Sequence, residues 1–181
     1  GTTPELFVAS TGNVGIGTTS PAMPFHIVNS SGGRMMLHRS SGDSSSLLGS
    51  IMFGANDGDT NLAMIASYQD GAADAGNIVF ETESTGGSMA ERMRITSAGN
   101  VGIGVTPSAT STSHTALQIG GNAIINSYGA QQASGEVDFG HNYYYAQSGL
   151  DKYISTDEAT KFRQTSGHYR FYTAPSGTAG N

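Results

Sequence analysis

The six residues Gly-Asn-Val-Gly-Ile-Gly occur twice in this chain, at 12–17 and at 99–104, an offset of 87 residues. Their surroundings repeat as well. Each copy later reaches a proline, Pro21 or Pro107, and then a short alternating run, Phe25-His26-Ile27-Val28 or Leu117-Gln118-Ile119. Such a duplication marks a chain assembled from repeated supersecondary units. Within each core, Val14 and Ile16, or Val101 and Ile103, project to one face of a strand and the glycines to the other. β-Branched residues at every second position suit a half-buried strand, and a bare glycine face lets another backbone come close. Gly12-Asn13 reads as the turn before the strand, because both residues tolerate positive φ. The expectation is a shaft in which Val14, Ile16, Val101 and Ile103 line a narrow axis shared by three chains.

Between and after the repeats, apolar residues alternate in short runs bounded by turn residues. Ile51 and Phe53 precede Asn56-Asp57-Gly58-Asp59, Leu62 to Tyr68 precede Asp70-Gly71, and Ile78 and Phe80 precede Gly86-Gly87. Val137 and Phe139 precede Gly140, and Tyr169 and Phe171 precede the turn at 175–177. This density of strands and turns predicts an all-β fold. Two stretches, Ser88 to Arg94 and Thr156 to Phe162, read as single helical turns, too short to stand alone. Four segments follow: a shaft repeat at 1–24, a β-rich module at 25–92, a second shaft repeat at 93–119, and a tyrosine-rich β module at 120–181. Ser108 to Ser113 is the most linker-like stretch.

Composition argues for assembly. Leu, Ile, Val and Phe number 32 of 181 residues, a thin supply for a self-sufficient core, yet only 12% of residues are charged and the net charge is -6. Charge-driven disorder does not fit; burial supplied by neighbouring chains does. The absence of cysteine excludes disulfides and thiolate metal sites. No run approaches the roughly 20 apolar residues of a membrane-spanning helix, and no signal peptide is visible at Gly1 to Glu5. The eight Lys and Arg are scattered, so no nucleic-acid-binding surface is expected.

Motifs that suggest chemistry have plainer readings. The glycine core is spaced G-x-x-G-x-G, and Pro21 interrupts the place where a nucleotide-binding helix would begin. Residues 57–61 copy the first ligand positions of an EF-hand loop, but Leu62 and Tyr68 stand where Gly and Glu are required. His26, His38, His114, His141 and His168 show no zinc-site spacing. Glu81 and Glu83 share one face of a strand, Asp157-Glu158 are adjacent, and no nucleophile elbow is present, so no enzymatic activity, cofactor or metal is expected. Tyr143-Tyr144-Tyr145 with Tyr153 is the richest aromatic cluster. Packing between chains is the favoured reading; stacking on a host glycan is the alternative.

The two motifs, with Arg92-Met93-Arg94-Ile95-Thr96 before the second, resemble a repeat of phage tail fibres and related virion appendages: an apolar strand, the Gly-Asn-Val-Gly-Ile-Gly core, then a Thr/Pro turn. The closing run from Tyr169 to Asn181 resembles the strand and turn that precede such repeats, and the matched pieces cover roughly a third of the chain. The resemblance implies an elongated, intertwined homotrimeric fibre with triple-β-helix-like shaft motifs and small β modules. It implies a structural role in a virion, supporting host attachment, with other tail or neck proteins as partners. A C-terminal chaperone, carried by many such proteins, is not read in these residues. A glycan-binding module of the fibre and a polysaccharide-degrading tailspike are the alternatives.

Overall fold

The computed structural model describes residues 6–40, 46–55, 60–128, 135–146 and 148–181. The chain divides into two units, Gly1–His38 and Arg39–Asn181. The described residues form strands, turns and extended segments, with no helix among them.

In the first unit, β1 (Leu6–Val8) and β2 (Val14–Ile16) form an antiparallel hairpin. Gly12 closes its turn at a φ of 88°, donating its N–H to the Ala9 carbonyl at 2.9 Å. The chain then crosses over and returns as β3 (Phe25–Ile27), parallel to β2. The second unit holds β4 (Leu47–Phe53), β5 (Ala63–Gln69), β6 (Gly76–Glu83), β7 (Met89–Ile95), β8 (Val101–Ile103), β9 (His114–Ile119), β10 (Ala123–Tyr128) and β11 (Glu136–His141). After these come the hairpin strands β12 (Tyr143–Tyr145) and β13 (Asp151–Tyr153), then β14 (Asp157–Thr165) and β15 (His168–Gly177). All but β12 and β13 join one ten-stranded sheet in the order β15-β14-β11-β10-β9-β8-β7-β6-β5-β4. Strands from three of the four segments delineated in the sequence thus share this sheet.

The sequence repeat is a structural repeat. β7, β8 and β9 reproduce β1, β2 and β3: an antiparallel hairpin with the same turn bonds, Gly99 donating to Thr96 at 2.9 Å, followed by a parallel return. The alternating runs after Pro21 and Pro107 are the returning strands. Val14 lies beside Phe25 and Ile16 beside Ile27, as Val101 lies beside Leu117 and Ile103 beside Ile119.

Three expectations need correction. The helical turns read at Ser88 to Arg94 and Thr156 to Phe162 lie mostly in β7 and β14. Each has a hydrogen-bonded strand on both sides, so extended backbone satisfies its N–H and C=O groups where an isolated helical turn could not. Ser108 to Ser113 is no linker: Thr110 and Ser111 are buried, and the Ser111 N–H bonds the Tyr145 carbonyl at 2.9 Å. The Asn56 to Asp59 turn, with most of the EF-hand-like stretch, lies outside the described residues.

A carboxylate ties two turns of the large sheet together. Asp70, after β5, accepts bonds from the Ser97 N–H and hydroxyl, each at 2.7 Å. The backbone bond first, and the hydroxyl bond second, hold the Asp70 carboxyl below its ordinary value. Its contribution to stability is therefore complete above the unfolded value of about 3.9 and disappears as the pH falls through the lower folded value. Ser97→Ala is expected to move the Asp70 titration part of the way back toward the ordinary value, read by NMR of the side-chain carboxyl. An unchanged titration would show that the hydroxyl bond contributes nothing.

Candidate assembly face and the covered polar face

Strand register places apolar residues in two adjacent rows on one face of the large sheet. Ile51, Ile65, Phe80, Met93, Ile103 and Ile119 are successive cross-strand partners from β4 to β9. Beside them, Ile78, Ile95, Val101, Leu117, Ile125, Phe139, Phe162 and Phe171 are successive partners from β6 to β15. No charged side chain interrupts either row. The residues are half-buried or exposed, with Ile103 40%, Ile119 47% and Phe171 82% exposed. The first unit carries the same pattern in miniature, as rows Leu6–Ile16–Ile27 and Val8–Val14–Phe25. Val14, Ile16, Val101 and Ile103 therefore all lie on the open apolar face of their own sheet.

The glycines between them face the other way and are buried. A Cβ on Gly15 would overlap the Thr18 carbonyl oxygen; one on Gly102 would overlap the Val105 carbonyl oxygen and meet Pro107 Cδ at 2.7 Å. The backbone that comes close is the chain's own crossover. The motif asparagine holds that crossover in place. Asn13 Nδ2 donates to the Pro21 carbonyl at 3.3 Å. Asn100, more deeply buried, accepts from Thr110 Oγ1 at 3.0 Å and from the Ala116 N–H at 2.9 Å. The residue after each proline is held too. Ala22 N–H donates to His26 Nδ1 at 3.3 Å, and Ser108 N–H to Gln118 Oε1 at 2.9 Å. A histidine and a glutamine thus perform the same task at equivalent strand positions.

Asn100→Ala is expected to cost about 1–3 kcal/mol, because it leaves the buried Ala116 N–H without its acceptor and takes from the Thr110 hydroxyl the shorter of its two acceptors. Asn13→Ala, which loses one longer bond in a half-buried site, should cost less. Denaturant unfolding of the two variants at equal protein concentration checks the order; equal losses would remove the clamp role from Asn100.

The covered face carries what an ordinary interior avoids. Gln118, Asn126, Asp138 and Asn142 are almost fully buried there, and Lys161 nearly so. Arg163 donates to both Asp138 oxygens at 2.7 and 2.6 Å and meets Glu136 at 2.9 Å. Lys161 Nζ contacts Asp151 and lies 3.7 Å from Asp138. The hydrogen bond from Arg163 to Asp138 raises the guanidinium's affinity for its proton above the ordinary value. Asn142, at a φ of 57°, brackets the β12–β13 hairpin. Its Nδ2 donates to the Ser155 and Glu158 carbonyls, each at 3.1 Å, and its Oδ1 accepts from the Ser155 N–H at 2.7 Å.

The tyrosines singled out in the sequence belong to this covered side. Tyr143 is buried against Ala116, Ile124 and Ala159; burial first, then Asp138, pushes its phenol above the ordinary value. Tyr144 and Tyr153 pack against that cluster. Tyr145 stacks on His114 at 4.2 Å between centroids, and the Tyr153 hydroxyl donates to the Pro175 carbonyl at 2.8 Å. Their rings thus pack within one chain. The ion-paired network around Asp138 was not anticipated; the alternation Glu136-Val137-Asp138-Phe139 against Lys161-Phe162-Arg163 was its only sequence signal.

Among the described residues, no group of three or more His, Asp or Glu is placed to hold a metal ion, and no helix is long and apolar enough to cross a membrane. Comparison with protein-family models and with curated proteins gives no match.

Proposed function

We propose that this chain is a structural segment of a homotrimeric fibre, a viral (bacteriophage) tail fibre or related virion appendage that supports host attachment. The observation that carries the trimer is the inverted distribution of side chains in the large sheet. Its covered face buries Gln118, Asn126, Asp138 and Lys161, while Ile103, Ile119, Ile125, Phe139 and Phe171 stand on the open face. Exposed apolar patches beyond a few hundred square ångströms mark interaction sites. Ten strands side by side extend this one for about 45 Å at the usual strand spacing.

The occupant is a second and third copy of the same chain. The rows are uncharged and recur in both units, so they offer no charge pattern for an unlike partner and match one another. A band only two residues wide suits three sheets turned inward on a common axis. The virion assignment rests on the resemblance of the repeated motif. In this role the chain performs no catalysis and needs no cofactor; it holds a shape, and its partners are its own copies and neighbouring tail or neck proteins. The glycan-binding alternative draws less support, since Tyr143 is buried and Tyr145 is committed to His114.

Sedimentation equilibrium at micromolar concentration tests the trimer, with three chain masses as the expected result. A single chain mass there would overturn it. Binding to a glycan array by the isolated trimer would move the reading from shaft to receptor module.

A further inference from the structure

The geometry points to an isopeptide bond between Lys161 and Asp151, a covalent staple from β14 to the β12–β13 hairpin that the folded chain forms by itself. Three groups needed for such a bond meet in one place. Lys161 is almost fully buried, and its Nζ contacts Oδ2 of Asp151. A second carboxylate, Asp138, lies 3.7 Å from the same nitrogen and is 1% exposed. Aromatic faces enclose the amine, with the Tyr143 centroid at 5.1 Å and the Tyr172 centroid at 5.0 Å. The amine and the neighbouring proton carrier thus lie buried beside two tyrosine rings, and the carboxyl acceptor reaches them from the half-exposed hairpin.

The step balances without an added reagent. Lys161 Nζ bonds to Cγ of Asp151, and one Asp151 carboxyl oxygen departs as water. Two protons leave the ammonium nitrogen and end on that water, relayed by the Asp138 carboxylate. No oxidant or reductant takes part. In free solution such a condensation is disfavoured, but holding the reactants in contact supplies effective molarities of roughly 10⁵–10⁸ M. Replacing the buried ammonium with a neutral amide nitrogen also removes the cost of keeping that charge out of water. The departing water has an exit, because the Asp151 side chain is 45% exposed. In a chain without cysteine, this is a cross-link that reducing conditions leave intact.

Intact-mass spectrometry of the folded, purified chain tests the bond. The expected mass is that of the sequence less one water. After trypsin, the peptide ending at Lys152 should remain joined to the peptide carrying Lys161, with no cleavage after Lys161. Lys161→Arg and Asp151→Ala should each run at full sequence mass. A folded parent protein at full sequence mass overturns the staple, and so does a water loss that persists in Lys161→Arg. Asp138→Ala, checked for a cooperative unfolding transition, should form the bond at least tenfold more slowly. If it does not fold, a time course of the parent from refolding decides, because the proposal requires the water loss to follow folding.

Discussion

Replacing Ile103 with aspartate is expected to leave the chain unassembled. Ile103 sits mid-row, with Met93 and Ile119 as its cross-strand partners. At 40% exposure its side chain has part of its surface left to bury on assembly. That remainder is worth about 1 kcal/mol per chain on the usual 1.5–3 kcal/mol for full burial, too little by itself to dissolve a trimer. The carboxylate decides the outcome. On the proposed threefold axis one substitution would bring three like charges together among isoleucines and methionine, with no cation in either row. Each then remains charged without a partner or takes up a proton at a cost. Repulsion at a few ångströms grows steeply as water is excluded. Thr85→Asp, in the exposed turn between β6 and β7, is the matched control and should assemble like the parent. Ser111 cannot serve as a control, because it is buried and hydrogen-bonded. Sedimentation of both variants separates the cases; trimeric Ile103→Asp would remove the rows from the axis.

Arg163→Met should be the most destabilising single change on the covered face, by about 3–5 kcal/mol, the usual cost of stranding one member of a buried ion pair. Arg163 is the two-pronged donor to Asp138 and also meets Glu136. Without it, Asp138 faces the Tyr143 phenol and Lys161 at 3.7 Å, and that lysine is already engaged by Asp151. Methionine preserves much of the aliphatic stem that runs across the sheet, so the loss reports the guanidinium. Removing both partners, as Arg163→Met with Asp138→Leu, should recover part of the stability, because no unpaired charge is then left inside. Denaturant unfolding at fixed protein concentration measures all three, since an oligomer's apparent stability depends on concentration. A loss below about 1 kcal/mol for the single variant would mean that the network is solvated in the folded protein.

The strands were legible because alternation and turn residues agree locally. Gly12 and Gly99 take the positive φ their turns require, and Val14-Gly15-Ile16 presents the two faces expected of it. The two misread segments are only seven residues each, and so short a pattern looks alike as a helical turn and as a strand until its partners are known. Thr156 to Phe162 became a strand because β11 and β15 lie on either side of it, a long-range fact that no local window contains. The apolar direction of Val101 and Ile103 was readable, whereas the length of the rows was not. Ile125, Phe139, Phe162 and Phe171 join the band through register, which depends on four successive pairings. The covered polar face was hidden for the same reason. Arg163 and Asp138 are 25 residues apart, and nothing in composition couples them.

The ten strands stand side by side, so the long dimension of the large sheet is spanned by hydrogen bonds while the covalent backbone runs across it. Tension along that dimension would load one strand pair after another, like opening a zip, and would meet its least resistance at three-residue β8. Shear along the strands would instead strain every bond of a pair at once. Such a sheet alone makes a poor rope. Its resistance to pulling has to come from whatever crosses the pairs sideways: the crossover strapped over β8 and, in the proposed trimer, the side chains that would meet its apolar rows.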